Sequence, residues 1–352
     1  MPSPSLLQRL KERKLVKWAS AGNGLAPHFV VLVALWVLIV ATLLNLLAQG
    51  VRQTGEHQVF RWTLQGLYVA SLLWYLTRTG PPLARLPEIP SLMLKRWRGG
   101  PWIPVVFVAL LFLFVLGSSD GADIALLLTI PGTLWVLLAW WRKIRLGLIV
   151  QGLALAAIAF LAGLQFYQWG FVSEIAYFLL AGMTAPMYVA GTLLVERTRA
   201  GAIRLPDGFG NALKGFLWGC LLFVPMGLFN AADGSPGSGF EWVNQWWITP
   251  VQPLFSGVAE ETLWRLLLLP LCYLLLRPAF PKRPAVPLVA AVLFSAVAFG
   301  LGHGYNLDRL LTTGLMYGLA MATAFARRGY EHAVGAHYMV NLIPWVMVFL
   351  AN

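Results

Sequence analysis

Long apolar segments recur along the whole chain, and short polar stretches separate them. A helix needs about 20 mostly apolar residues to cross the hydrocarbon core of a bilayer. Eleven segments approach that length, and the pattern predicts a membrane-spanning helix in each. They lie near residues 29–48, 62–77, 102–117, 124–141, 146–166, 175–195, 212–230, 255–276, 285–302, 310–326 and 333–350. The predicted fold class is all-α, a polytopic membrane helical bundle of about 11 transmembrane helices.

The composition agrees with a membrane protein. Of the 352 residues, 59% are hydrophobic and only 11% are charged, and the mean hydropathy is +0.70. Soluble domains carry about 25% charged residues. The chain therefore lacks the polar surface that a soluble protein of this length requires, and we expect the lipid bilayer to be its solvent.

The basic residues are distributed unevenly along the chain. The net charge is +12, and 22 of the 26 Lys and Arg residues lie at the N-terminus or in every second predicted loop. Because cytoplasmic loops carry an excess of Lys and Arg, this alternation predicts a cytoplasmic N-terminus and a C-terminus outside. Topology thus accounts for the basic charge, and we expect no nucleic acid partner.

Ionisable side chains inside spans concentrate in the last four segments. Each costs about 2.5–3.5 kcal/mol at the centre of a membrane helix and needs a partner or a function. Glu261 and Arg265 have the spacing of an intrahelical ion pair with the acid first. Glu260 projects about 100° away around the helix. An unpaired carboxylate in an apolar wall is a candidate general base. Alternatively, both acids bind Arg265 or another helix and only stabilise the bundle.

Two histidines and an amide complete this polar set. His303 lies near the end of its span, and His337 and Asn341 share one face of the last span. Each alone is typical of hydrogen bonding between helices. Together with an acid they could activate a water, through a metal or through a carboxylate–histidine pair, and stabilise an oxyanion. The chain contains no HExxH and no span serine in a Gly-x-Ser-x-Gly motif near these histidines, and Ser295 is expected to be a packing residue.

Three motifs in this region resemble those of a known family. Glu-Glu-x-x-x-Arg at 260–265, Phe-x-x-x-His at 299–303 and His-x-x-x-Asn at 337–341 follow in order on successive helices. They are similar to the motifs of the CAAX protease and bacteriocin-processing (CPBP, or Abi) family, which includes the type II CAAX prenyl endopeptidases. The resemblance implies two parts, N-terminal membrane helices of unknown role at 1–206 and a CPBP-like protease core at 207–352.

The resemblance also implies roles for the motif residues. Glu260 would act with His303 to activate the attacking water, and His337 and Asn341 would stabilise the oxyanion. The structural residues at the site would be Glu261, Arg265 and Phe299. If Zn²⁺ or another divalent metal binds, its ligands would be Glu260, His303 and His337.

The implied activity is intramembrane cleavage of a peptide bond in a membrane-anchored or lipidated protein or peptide. One alternative is a non-catalytic immunity or scaffold protein of the same fold that binds a peptide without cutting it. A transporter is a further alternative, but we find no repeat that would favour it.

The expected depths of the motifs differ. If the eighth span starts near Pro253, helix rise places Glu260 about 10 Å from the outer face. If the last helix starts near Glu331, His337 lies about 9 Å from its inner end. His303 falls near the outer end of the ninth span. The motifs can meet only if that span starts late, if helices tilt, or if the chain breaks at Gly300 and Gly302.

Overall fold

A computed structural model describes residues 27–48, 55–79, 121–168, 174–233, 246–304 and 306–351. The described residues form ten helices, two short 3₁₀ turns and no strands. The helices are α1 (Pro27–Ala48), α2 (Gly55–Thr79), α3 (Gly121–Ala139), α4 (Leu146–Gln168), α5 (Glu174–Thr198), α6 (Phe209–Asp233), α7 (Ile248–Ala279), α8 (Ala285–Gly302), α9 (307–328) and α10 (Tyr330–Ala351).

The all-helical prediction is confirmed for this part of the chain. Ten of the eleven predicted segments coincide with helices, and the remaining one, 102–117, lies outside the described residues. Five of the described helices, α4 to α8, are long and apolar enough to span a membrane. The predicted count of about 11 spans is therefore not confirmed. The more polar α2 and α10 bury side chains such as Arg61, Gln65, Glu331 and His332 between helices.

Two apolar cores are shared among these helices. One is built from α3, α4, α5, α7 and α8, and the other from α1, α2 and α6. Helices α9 and α10 contribute buried residues to both cores. Helices α9 and α10 therefore connect the two apolar cores.

Helix α7 is irregular at the acidic motif. Two π-helical stretches, Ser256–Glu260 and Thr262–Leu268, flank Glu261. π-Helical turns are rare and often lie at functional sites. The helix also begins at Ile248 rather than near the predicted start at 255. The acidic pair thus lies well inside the helix, in its most irregular part.

Helices α6 and α10 touch through their backbones. A Cβ atom on Gly335 would lie 2.0 Å from the Phe216 carbonyl oxygen, and one on Gly219 would lie 2.2 Å from the His332 carbonyl oxygen. Only glycine allows such an approach, which is a common device for packing membrane helices. The interface fixes α10, which carries the third motif, against α6.

Two aromatic side chains attach α1 and α2 to α6. Trp36 Nε1 donates to the Leu221 carbonyl oxygen at 3.0 Å, and the Tyr68 hydroxyl donates to the Leu222 carbonyl oxygen at 2.6 Å. Pro225 lies inside α6 and has no N–H group, so the Leu221 carbonyl lacks its helical partner. The proline thus leaves the Leu221 carbonyl oxygen free to accept a hydrogen bond from Trp36 of α1.

Candidate active site

Glu260 and His303 approach each other where α7 meets the end of α8. His303 Nε2 lies 3.6 Å from Glu260 Oε2, and the His303 and Glu260 side chains are 36% and 15% exposed. His303 Nδ1 lies 2.8 Å from the Phe299 carbonyl oxygen. Because a carbonyl only accepts, Nδ1 donates this bond and Nε2 is the ring atom that faces the carboxylate. The two side chains are partly exposed, although Glu260 Oε2 itself is buried. A carboxylate and an imidazole are groups that carry out general acid–base chemistry.

Glu261 faces a different and fully buried environment. Its Oε1 atom lies 3.0 Å from Arg265 Nη1 and 2.8 Å from His337 Nδ1. Glu261 and Arg265 have no exposed surface, and His337 is buried. The intrahelical ion pair was predicted from the sequence, whereas the bond to His337 was not. This cluster ties α7 to α10 and orients the His337 ring.

Phe299 packs at the centre of both pairs. The Arg265 guanidinium carbon lies 4.0 Å from the centroid of its ring. The His303 ring is 4.5 Å away, and the His337 ring meets it edge-on at 5.5 Å. Arg265 Nη2 also donates to the Gly318 carbonyl oxygen at 3.4 Å. The aromatic ring separates the exposed pair from the buried cluster and holds both in place.

Asn341 follows His337 by one turn of α10 and is partly buried. The structure places it on the predicted face of the helix. Ser295, which carries no predicted catalytic role, is fully buried and donates from Oγ to the Trp264 carbonyl oxygen at 2.8 Å. Its position agrees with the packing role predicted from the sequence.

The candidate metal ligands do not assemble. Among the described residues, no group of three or more His, Cys, Asp or Glu side chains is placed to hold a metal ion. Glu260 and His303 face each other, whereas His337 Nδ1 is engaged by Glu261. The side chains of Glu260, His303 and His337 therefore do not form the zinc site that the resemblance allows.

The motifs meet without a break in α8. That helix runs continuously from Ala285 to Gly302 and ends with His303 as its C-cap residue. Helix α10 begins beside the middle of α7, because the Tyr330 hydroxyl lies 2.7 Å from Thr262 Oγ1 and 3.3 Å from the Val258 carbonyl oxygen. The offset start of α10 brings His337 to the level of the acidic motif.

One polar contact near the third motif involves a residue outside all three motifs. Asn230 of α6 donates from Nδ2 to the Val340 carbonyl oxygen at 3.0 Å. Sequence reasoning treated Asn230 only as the end of a span. The signal that could have pointed to this contact is Pro344, four residues after Val340, which leaves that carbonyl without a helical partner.

Residues 242–343 match the family model described as type II CAAX prenyl endopeptidase Rce1-like. All seven candidate site residues lie within this segment. The match confirms the resemblance to the CPBP family that the three motifs indicate, and it supports a CAAX-type protease activity for this part of the chain. Comparisons with curated proteins and with solved structures found no match.

Proposed function

We propose that this protein is an intramembrane endopeptidase of the CPBP type, in which Glu260 and His303 activate the attacking water. The observation that carries this proposal is the division of the acidic motif. Glu261 Oε1 is engaged by both Arg265 and His337, whereas the partly exposed Glu260 side chain faces His303. In the described part of the chain, the buried oxygens Glu260 Oε2 and Glu261 Oε2 both lack a hydrogen-bond partner, but only Glu260 has no ion pair with an arginine. A carboxylate in this situation is available to take a proton.

The reaction proceeds as a hydrolysis. Glu260 accepts a proton from a water that it shares with His303, and the water oxygen bonds to the carbonyl carbon of the scissile peptide. The tetrahedral intermediate collapses, the C–N bond breaks, and Glu260 returns the proton to the leaving amine. One water is consumed and an acid and an amine form, so the balance needs no further reactant.

His337 and Asn341 stabilise the oxyanion in this proposal. Since Glu261 accepts from His337 Nδ1 at 2.8 Å, only Nε2 is left for the substrate. A neutral ring with its proton on Nδ1 presents an acceptor at Nε2, so donation to an oxyanion requires the doubly protonated ring. Asn341 supplies a neutral donor one turn along α10.

The substrate is a membrane-anchored or lipidated protein or peptide. The matched family model is described by CAAX prenyl endopeptidase activity, which supports a prenylated protein cut near its C-terminus. The apolar helices α4 to α8 support cleavage within or beside a membrane. A cytoplasmic N-terminus and an outer C-terminus remain our topology for the chain.

Comparative mapping of protein termini in membranes tests this function. Cells that produce the native chain are compared with cells that produce Glu260→Gln at equal expression. We expect termini that appear only with the native chain, and we expect them to persist in a chelator because the described residues assemble no three-ligand group. Equal unfolding temperatures of the two proteins serve as the folding control.

The alternative of a non-catalytic peptide-binding protein predicts a different result. In that case no terminus depends on Glu260, and Glu260→Gln rescues the phenotype of a gene deletion. That outcome would contradict the proposed protease. The motifs would then be a buried polar cluster that holds a binding protein together.

A further inference from the structure

The third motif lies directly before a proline inside a helix. Pro344 has no N–H group, so it cannot donate to the Val340 carbonyl oxygen, and its ring presses against that carbonyl. Val340 immediately precedes Asn341 in the chain. The backbone that carries Asn341 is therefore the turn of α10 that the proline distorts.

Asn230 supplies the missing donor. Its Nδ2 atom lies 3.0 Å from the Val340 carbonyl oxygen, and Val340 is buried. A buried carbonyl without a partner costs about 1–3 kcal/mol, so the contact compensates a specific defect in the helix. The side chain comes from α6, which precedes the segment that matches the family model.

Helix α6 is a rigid base for this contact. Besides Gly219 and Gly335, Gly227 brings the two backbones together, since a Cβ atom there would lie 2.7 Å from the Met339 carbonyl oxygen. Met339 and Val340 are adjacent in α10. Helix α6 thus fixes the turn that holds Asn341 in two ways. Gly227 makes a close backbone contact with Met339, and Asn230 donates a hydrogen bond to Val340.

We propose that Asn230 is a positioning residue that sets the place of the Asn341 amide in the oxyanion site. This role rests on the proposed function, because Asn341 acts as an oxyanion donor only in a protease. Asn230 does so through the Val340 carbonyl, and Pro344 makes that carbonyl available. The contact adds a helix from outside the motif segment to the machinery of the reaction.

A double-mutant cycle on kcat tests this role. Asn230→Leu keeps the side-chain size but removes the donor, and the assay uses a quenched fluorescent peptide that spans the cleavage site found by terminal mapping. A misplacement of about 1 Å can cost about 100-fold in rate, and we expect a loss of about 10-fold to 100-fold in kcat with little change in KM. In the Asn341→Ala background the same change should cost less than about 2-fold.

A matched control separates positioning from general loss of a hydrogen bond. Trp36→Phe removes the donor to Leu221, another carbonyl freed by a proline, and should leave kcat unchanged. A stability cycle with Pro344→Ala checks the contact without activity. That change restores an N–H group for Val340, so Asn230→Leu should then lower the unfolding temperature less than it does in the native chain.

The outcomes distinguish this role from the proposed function. Suppose that cleavage depends on Glu260, but Asn230→Leu lowers kcat equally in the native chain and in the Asn341→Ala background. That result would overturn the positioning role alone. An unchanged kcat in Asn230→Leu would do the same. Absence of any cleavage that depends on Glu260 would overturn the proposed function, and this role with it.

Discussion

At the scale of single residues, the two adjacent glutamates of the first motif meet opposite environments. Glu261 is fully buried between Arg265 and His337, with its Oε1 atom 3.0 Å from Nη1 and 2.8 Å from Nδ1. The Glu260 side chain is 15% exposed and faces His303. A buried charge is tolerated only with its partners. Glu261 is therefore held in a buried ion pair, and our proposal assigns the chemistry to Glu260.

This difference predicts unequal effects on stability. Glu261→Gln removes the carboxylate that pairs with the buried Arg265 guanidinium, and we expect a loss of about 3–5 kcal/mol in the free energy of unfolding. Glu260→Gln should cost less than about 1 kcal/mol because, in the described part of the chain, Glu260 Oε2 has no hydrogen bond to lose. The measurement is unfolding of both variants in detergent micelles.

A surface ion pair provides the control for that measurement. Arg145 and Glu196 are bonded across α4 and α5 with side chains that are 60% and 49% exposed. Exposed pairs contribute about 0–1 kcal/mol, so Glu196→Gln should resemble Glu260→Gln. A loss for Glu260→Gln as large as that for Glu261→Gln would contradict the division of roles.

The sequence allowed part of this site to be predicted. Spacing alone predicted the pairing of Glu261 with Arg265, because four residues separate neighbours on one helix face. The bond from His337 to Glu261 could not be predicted, since it depends on how far α10 is shifted along α7. Asn230 was missed for a similar reason: its partner is a backbone carbonyl, which carries no sequence signal except the proline.

At the scale of helices, the apolar pattern predicted where helices lie but not their internal geometry. The π-helical stretches around Glu261 follow no apolar period. Thr262, the first residue of the second stretch, bonds to Tyr330 of α10, so this part of α7 is tied to another helix. Local sequence predicts an element, whereas the contacts between elements decide its register and its starting depth.

The glycine contact between α6 and α10 gives a prediction at this scale. Gly335→Ala would place a Cβ atom 2.0 Å from the Phe216 carbonyl oxygen, and backbone cannot move aside cheaply. We expect a loss of about 1–3 kcal/mol, typical of overpacking. Thermal unfolding in detergent micelles measures it.

Gly182→Ala in α5 is the matched control, since no atom lies within 4 Å of its added Cβ. Alanine is a better helix former than glycine by about 1 kcal/mol, so this variant should be neutral or slightly more stable. If both glycine variants are equally stable, the close contact between α6 and α10 is not a determinant of the fold.

At the scale of the whole molecule, α1 and α2 are integrated with the motif helices. They share an apolar core with α6, α9 and α10. Arg327 at the end of α9 donates to the Leu76 and Thr77 carbonyl oxygens at 3.3 and 2.6 Å. These carbonyls lie in the last turn of α2, where a helix favours positive charge. The predicted boundary between 1–206 and 207–352 remains a prediction, and this core crosses it.

Weakening the attachment of α1 and α2 to α6 should loosen these two helices without lowering kcat. The double variant Trp36→Phe, Tyr68→Phe removes two hydrogen bonds from α1 and α2 to α6 while keeping an aromatic side chain at both positions. Each bond contributes about 0.5–1.5 kcal/mol. We expect faster hydrogen–deuterium exchange in peptides from α1 and α2, because local opening becomes less costly.

Exchange in α7 and α8 should stay at the native rate in that variant, and so should kcat. Neither Trp36 nor Tyr68 bonds to the helices that carry Glu260 and His303, and the α6 contacts with α10 through glycine remain. A kcat that falls as the exchange of α1 and α2 rises would show instead that these helices hold the site in its active geometry. The catalytic unit would then extend beyond residues 242–343, into the N-terminal helices.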